Sequence, residues 1–435
     1  MKRLLKAILP AALTEFARSA RASARRKQFL KEWTSARKAC VRREPSTPSQ
    51  YLLIFPSDPW TISGALGDDA MISAAVQHFA ERSASVSTSM FCRPGLAEGV
   101  VKSCGFHPVI IPERDSFVGS LQRILSETRA DELILLGADI MDGYYDPAGV
   151  ADMLVTADVA ARCGVRTSFL GFSFNEYPVP ELAAFYNRVS PEVRFNLRDE
   201  ISLQRFQQFT SAKANLVADA AFMLRPGLVD VQVKAWIDKQ RAQGRVIIGF
   251  NVHPMLIKDA SVEQMDQIIR RCVEAIQGAS RGRDVAFLLL PHDYRNALGD
   301  AACLRPIHES LSHDAGVHVY YLEGKHRAAD IKALAGQVDG MITGRMHLAI
   351  AALGMSVPTL CLTYQDKFGG LIRHFGLPGD LLLSPSVFDD DEALETAVVH
   401  FVDKLPMLRQ LVAAHKAEVM RLASGNFDLG VHETA

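Results

Sequence analysis

The stretch Gly340-Met341-Ile342-Thr343-Gly344-Arg345-Met346-His347, running into the small-residue segment Leu348 to Gly354, carries the most suggestive chemistry in the chain. An apolar strand stops at Gly344 and an Ala/Leu-rich helix begins almost at once. Arg345 and His347 therefore sit where a parallel strand hands over to a helix, the end at which ligands of such sheets bind. Free backbone N–H groups and the positive pole of a helix favour a phosphate or carboxylate there. An arginine adds a bidentate fork for the same anion. The spacing equally allows Arg345 to pair with Asp339 and His347 to cap the helix. Asp68 and Asp69 open a helix after Gly67, as a base for a hydroxyl or as residues that cap and complement the helix. His292 closes the run Leu288-Leu289-Leu290-Pro291, as a site residue or as a satisfied strand-end histidine.

The elements that would hold these residues follow from periodicity. Short β-rich runs alternate with helical stretches from Tyr51 onward, the pattern of parallel sheets covered by helices. Strands are expected at 51–55, 86–90, 109–111, 133–136, 167–172 and 193–197, with a seventh at 215–217. A second alternation places strands at 246–250, 285–290, 317–322, 340–343 and 359–362. The expected fold is α/β, two Rossmann-like domains in a GT-B-type arrangement with a cleft between them. The reading divides the chain into a basic leader (1–45), an N-terminal domain (46–226), a linker (227–244), a C-terminal domain (245–385) and a helical tail (386–435). The tail reads as two amphipathic helices around Pro406 that pack back across the domain boundary.

Composition agrees with a globular chain of two cores: 435 residues, 48% hydrophobic and 22% charged. Its seven cysteines are scattered without a CxxC spacing, so neither a zinc site nor a disulfide framework is indicated, and a reducing cytosol fits. No secretory signal or membrane-spanning run is evident. The formal net charge is −1, yet the first 44 residues hold 13 Lys/Arg against 3 Glu. That leader is either a solvated arm or a peripheral contact with an anionic membrane face. No basic patch interleaved with aromatics supports nucleic acid as a partner.

The stretch Gly344-Arg345-Met346-His347, through Val357-Pro358 to Tyr364-Gln365-Asp366-Lys367, resembles the polysaccharide pyruvyl transferase family, whose hallmark is Arg-Leu-His, a Val-Pro strand and Tyr-x-x-Lys. Met346 replaces the usual Leu at little cost in volume. Gly67-Asp68-Asp69-Ala70, Arg198-Asp199-Glu200-Ile201-Ser202 and Val217-Ala218-Asp219-Ala220-Ala221-Phe222 resemble further segments of that family, in the same order. Two departures stand out: Gly137-Ala138-Asp139 where a glycine pair is usual, and Ala65-Leu66-Gly67 without the expected Asn.

The resemblance implies transfer of the enolpyruvyl group of phosphoenolpyruvate to a sugar of a surface polysaccharide or its lipid-linked precursor. It makes Arg198 and Arg345 donor-binding arginines, one from each domain, with Met346 between Arg345 and His347. It makes His347 the general acid, Asp69 with Asp68 the candidates for base and acceptor contact, and Tyr364 and Lys367 substrate contacts. No metal cluster or phosphate-binding Gly-Lys loop is present in the sequence, so no metal or cofactor is expected and activity should survive a chelator. Two rivals remain: a GT-B glycosyltransferase using a nucleotide sugar, and a non-catalytic scaffold docked through the leader.

Overall fold

The computed structural model describes residues 27–428 apart from 63, 64, 84, 258, 296–298 and 364–366. Tyr364 and the first part of the leader lie outside the described residues.

Seven strands form the first sheet: β1 (Tyr51–Phe55), β2 (Ser87–Cys92), β3 (His107–Ile110), β4 (Glu132–Leu136), β5 (Arg166–Phe172), β6 (Arg194–Leu197) and β7 (Ala214–Leu216). Their order is β3-β2-β1-β4-β5-β6-β7, and every pairing is parallel. The second sheet holds β8 (Val246–Asn251), β9 (Val285–Leu289), β10 (His318–Tyr321), β11 (Gly340–Thr343), β12 (Thr359–Leu362) and β13 (Leu382–Leu383), ordered β10-β9-β8-β11-β12-β13 and again parallel. In both sheets the strand order reverses beside the first strand, between β1 and β4 and between β8 and β11. Loops leaving those neighbours diverge and open a crevice at the carboxyl ends of the strands. The two crevices face each other, which gives the GT-B-type arrangement expected from the sequence.

Strands buried on both faces must be apolar on both, and β4 (Glu132-Leu133-Ile134-Leu135-Leu136) is buried throughout. Alternate residues of β1 feed different cores: Leu53 and Phe55 pack with Phe91, Phe117 and Leu135, while Leu52 and Ile54 join a cluster that continues into the C-terminal domain through Ala70, Phe222, Leu348 and Ala352. That continuity couples the domains, and polar ties reinforce it. Leu66 N–H donates to His292 O at 3.3 Å, Ala65 and Asp293 form an antiparallel bridge, and Lys332 Nζ donates to Phe222 O at 2.8 Å.

Two features differ from the sequence reading. Residues 27–38 form a helix that packs onto the N-terminal domain, although the sequence set 1–45 apart as a leader. Trp33 is fully buried, stacks on Phe185 at 5.7 Å and donates from Nε1 to Asp158 Oδ2 at 2.7 Å. Asp158 also accepts from Arg162 Nε and Ser190 N, so the helix docks onto a satisfied buried carboxylate. At the other end, the tail is one helix, Ala393–Ser424, that runs through Pro406. The break expected of an interior proline is overridden because Leu405, Leu408 and Val412 on either side are buried. The tail does reach the first domain: Asn426 Oδ1 accepts from Gly171 N at 2.6 Å, and its Nδ2 donates to Ala218 O at 2.8 Å. No helix among the described residues is long and apolar enough to cross a membrane.

Candidate active site

A cleft of about 420 Å³ opens between the two switch points. Ser57 and Asp58 follow β1, Ala138 and Asp139 follow β4, and Arg198 follows β6. From the other domain come His292 after β9 and Gly344, Arg345, Met346 and His347 after β11, with Lys367 beyond β12.

His347 lies in the first turn of helix Met346–Gly354, with 17% of its side chain exposed. Its Nε2 makes no hydrogen bond among the described residues and stands 3.6 Å from Asp219 Oδ2. Burial lowers the imidazole's affinity for a proton, and the Asp219 carboxylate is the main opposing influence; the net shift is downward. Gly67 explains how the ring is held. A methyl group at that position would overlap the His347 imidazole, so only glycine lets the helix Leu66–Arg82 close against it.

Arg198 is 4% exposed, a deep position for a guanidinium. Nε donates to Ser173 Oγ at 2.7 Å and Nη1 to Asp219 Oδ2 at 3.0 Å. Asp219 thus faces Arg198 and His347 at once, while its Oδ1 accepts from Ala221 N at 2.9 Å. Asp219 stands within the motif Val217–Phe222, where its sequence position alone assigns it no role.

Arg345 does not pair with Asp339, the alternative its spacing allowed; Asp339 binds Arg409. Arg345 Nε and Nη2 donate to Asp300 Oδ1 at 2.9 and 2.6 Å, and Nη1 lies 3.2 Å from Asp293 Oδ2. Asp300, with no exposed surface, also accepts from Asn251 Nδ2 and His292 N, both at 2.7 Å. Its burial pushes the carboxyl above its ordinary range, with Arg345 opposing. Lys367 Nζ contacts Asp139 Oδ2. Burial would raise the Asp139 carboxyl, but Lys367 and then Arg198 outweigh it and hold it low. Two buried histidines stay neutral around this frame. His292 is held well below its ordinary pKa by burial, then by His347 and Arg345. His253 is lowered in the same way and contacts Gly344 O through Nε2 at 3.0 Å while Nδ1 accepts from Met255 N, an arrangement that assigns the ring proton to Nε2.

The two neighbouring aspartates part company. Asp68 lines the cleft and accepts a short hydrogen bond from Ser57 Oγ. Burial raises its carboxyl to about 6. Asp69, the residue that the sequence reading made catalytic, turns away from the cleft. Its Oδ2 accepts from Ala328 N at 2.7 Å and so caps helix Ala328–Ala335 of the other domain. One residue along a helix is a rotation of about 100°, and only one of the pair can face the cleft. The structure therefore brings together Arg198, Arg345, Met346, His347, Asp68, His292 and Lys367, and leaves Asp69 out. Sequence reasoning missed Asp139, Asp219, Asp293 and Asp300. Asp219 and Asp139 stood in quoted motifs, but Asp293 and Asp300 find Arg345 only through folding.

Among the described residues no cluster of His, Cys, Asp and Glu is arranged to hold a metal ion. The site offers instead fixed cations, a poised imidazole and a carboxylate of raised basicity, the equipment for binding an anion and moving protons beside it.

No curated protein matches the sequence. Solved structures similar in fold include UDP-GlcNAc 2-epimerase from Neisseria meningitidis bound to UDP-GlcNAc, with TM-score 0.52 and 12% identity over 87% of this chain and 98% of that one. A glycosyltransferase from Rickettsia africae gives TM-score 0.53 and 11% identity over 87% and 96%. At such identities the likeness is one of architecture, two Rossmann-like domains of the GT-B type. The family model for polysaccharide pyruvyl transferase matches residues 65–366, from the bridge before Gly67 to the segment before Lys367. With most of the chain inside that match, and with the arginine, histidine and glycine of its motifs converging on one cleft, the protein belongs to the polysaccharide pyruvyl transferase family.

Proposed function

We propose that the protein transfers the enolpyruvyl group of phosphoenolpyruvate to a sugar of a surface polysaccharide or its lipid-linked precursor, closing a pyruvate ketal across two hydroxyls. The observation that carries this reading is the shared carboxylate. Asp219 holds Arg198 on one side and faces His347 on the other, so one group sets both an anion-binding guanidinium and a proton donor.

The donor carries a phosphate and a carboxylate, and Arg198 and Arg345 supply cationic groups from opposite domains. Protonated His347 delivers its Nε2 proton to the donor's methylene carbon, which becomes a methyl group and leaves positive charge at C2. The first sugar hydroxyl attacks C2 and gives its proton to Asp68, whose raised pKa makes it a better base than an ordinary carboxylate while leaving it ionised at neutral pH. The C2–O bond to phosphate then breaks, both electrons leaving with the phosphate, and the second hydroxyl closes the ketal. Asp68 passes the first hydroxyl's proton to the departing phosphate, and the second hydroxyl's proton restores His347, so both groups return to their starting states. Burial works against the imidazolium, but a multiply charged anion bound beside it works strongly in its favour.

Phosphate release from phosphoenolpyruvate with a panel of glycans, followed by mass analysis of the product, tests the proposal. His347→Ala is expected to lower turnover by about 10²–10⁴-fold. Wild-type turnover in that variant, or consumption of a UDP-sugar in place of phosphoenolpyruvate, overturns it. A lipid-linked acceptor further suggests that the basic leader, residues 1–44, carries the enzyme to an anionic membrane face. Absence of sedimentation with anionic vesicles at low salt removes that part.

A further inference from the structure

A second cavity, of about 320 Å³, opens in the N-terminal domain behind the turn that follows β1. Ser57, Asp58, Ile140 and Tyr145 line both this cavity and the cleft, so the two spaces adjoin across one wall. Nothing in the reaction outlined above uses the second space.

Two of its buried polar atoms lack hydrogen-bond partners among the described residues. Asp152 Oδ1 is buried with no hydrogen-bond partner among the described residues, and the ion pair to Arg114 Nη2 is long, at 4.0 Å. Arg93 Nε is likewise buried and unpartnered, while its guanidinium lies 5.0 Å from the centre of the Trp60 ring. A buried polar atom without a partner costs about 1–3 kcal/mol, and two of them lining one cavity point to a ligand that donates one hydrogen bond and accepts another. Burial holds the Asp152 carboxyl up at about 6, as expected of a group lacking donors. At the rim, Trp60 is 65% and Tyr145 52% exposed. Exposed aromatic side chains beside two unpartnered buried polar atoms match a ligand with an apolar face and a hydroxyl edge.

A pyranose ring has that form: axial C–H groups on its face, and hydroxyls around its edge that donate and accept. We infer that this cavity is a glycan subsite, in which a sugar adjacent to the pyruvylated one stacks on the Trp60 and Tyr145 rims, donates a hydroxyl to Asp152 and accepts from Arg93. The inference rests on the proposed function, because adjacency to the cleft makes this sugar a neighbour of the reacting one. A glycan of two or more units then engages both spaces, and a monosaccharide fills only the cleft.

The test uses the full chain and an array of bacterial surface oligosaccharides from one to four units long. Wild type is expected to retain oligosaccharides over their component monosaccharides, and Asp152→Asn or Trp60→Ala to weaken that retention at least tenfold. Asp152→Asn keeps the side chain's size, and Trp60 is exposed, so a shared loss of folding is not expected; circular dichroism checks it. Phosphoenolpyruvate affinity of the same proteins, by calorimetry, reports the cleft separately. Retention equal to wild type in both variants overturns the subsite, as does failure of wild type to retain any oligosaccharide. Glycan retention that depends on Asp152, without phosphoenolpyruvate binding, leaves the subsite standing and overturns the enolpyruvyl reading.

Discussion

Asp219→Asn isolates the carboxylate shared by Arg198 and His347. The amide keeps the side chain's shape and its Oδ1 contact with Ala221 N, so the cap of the short 3₁₀ turn at Ala220–Met223 is retained. What disappears is a negative charge 3.6 Å from His347 Nε2 and 3.0 Å from Arg198 Nη1. At an effective dielectric near 20, a unit charge at about 4 Å is worth roughly 4 kcal/mol, an upper bound here. A third of that moves a protonation equilibrium by about one pH unit. Asp219 is the largest influence holding the imidazolium up, so its loss lowers the pKa further. If protonated His347 is the acid, activity falls as pH rises through that pKa, and the alkaline limb of the kcat/KM profile shifts toward lower pH by about one unit or more. The measurement is phosphate release from phosphoenolpyruvate between pH 5 and 9 for both proteins. An alkaline limb that stays in place while kcat falls uniformly refutes the assignment of His347 as the acid.

Other expectations follow from single contacts. Asp69→Ala should cost about 1 kcal/mol through the lost cap on helix Ala328–Ala335 and keep turnover within about threefold, whereas Asp68→Asn should spare stability and lower kcat at least about tenfold; the reverse pattern in denaturation and turnover assays returns the base to Asp69. Lys332 is 3% exposed, and burial holds its ammonium down at about 7. Between that pH and the ordinary lysine range the unfolded chain keeps a proton that the folded one has lost, so stability climbs with pH by as much as about 4–5 kcal/mol. In Lys332→Met this part of the climb should vanish, measured as urea midpoints at pH 7 and 9; equal slopes reject it. Trp33→Ala should destabilise by about 3–5 kcal/mol, and a thermal midpoint equal to wild type would show that helix 27–38 adds nothing to the domain.

Most of the scaffold was legible because parallel strands buried on both faces write themselves as short apolar runs. Twelve of the thirteen strands were read near their final places, and β13 was missed because Leu382 and Leu383 are too brief a signal. The helix Ala301–Leu311 carries a weak sequence signal because Pro306 lies inside it. In the site, Arg198, Arg345 and His347 were readable as residues at strand ends next to family motifs. Their counter-charges were not, since Asp300 reaches Arg345 across 45 residues through tertiary packing alone. Asp68 and Asp69 carry the same chemistry side by side in the sequence, and only the helix's rotational setting assigns one to the cleft and the other to a neighbouring helix.

The bonds from Asn426 to Gly171 and Ala218 have a consequence for how the chain matures. Gly171 is synthesised 255 residues before the amide that satisfies its N–H. During translation, then, this one N–H, at the irregularity where β5 slips register against β6, waits for its final acceptor until nearly the whole polypeptide has emerged, although β5 itself is already paired with β4 and β6.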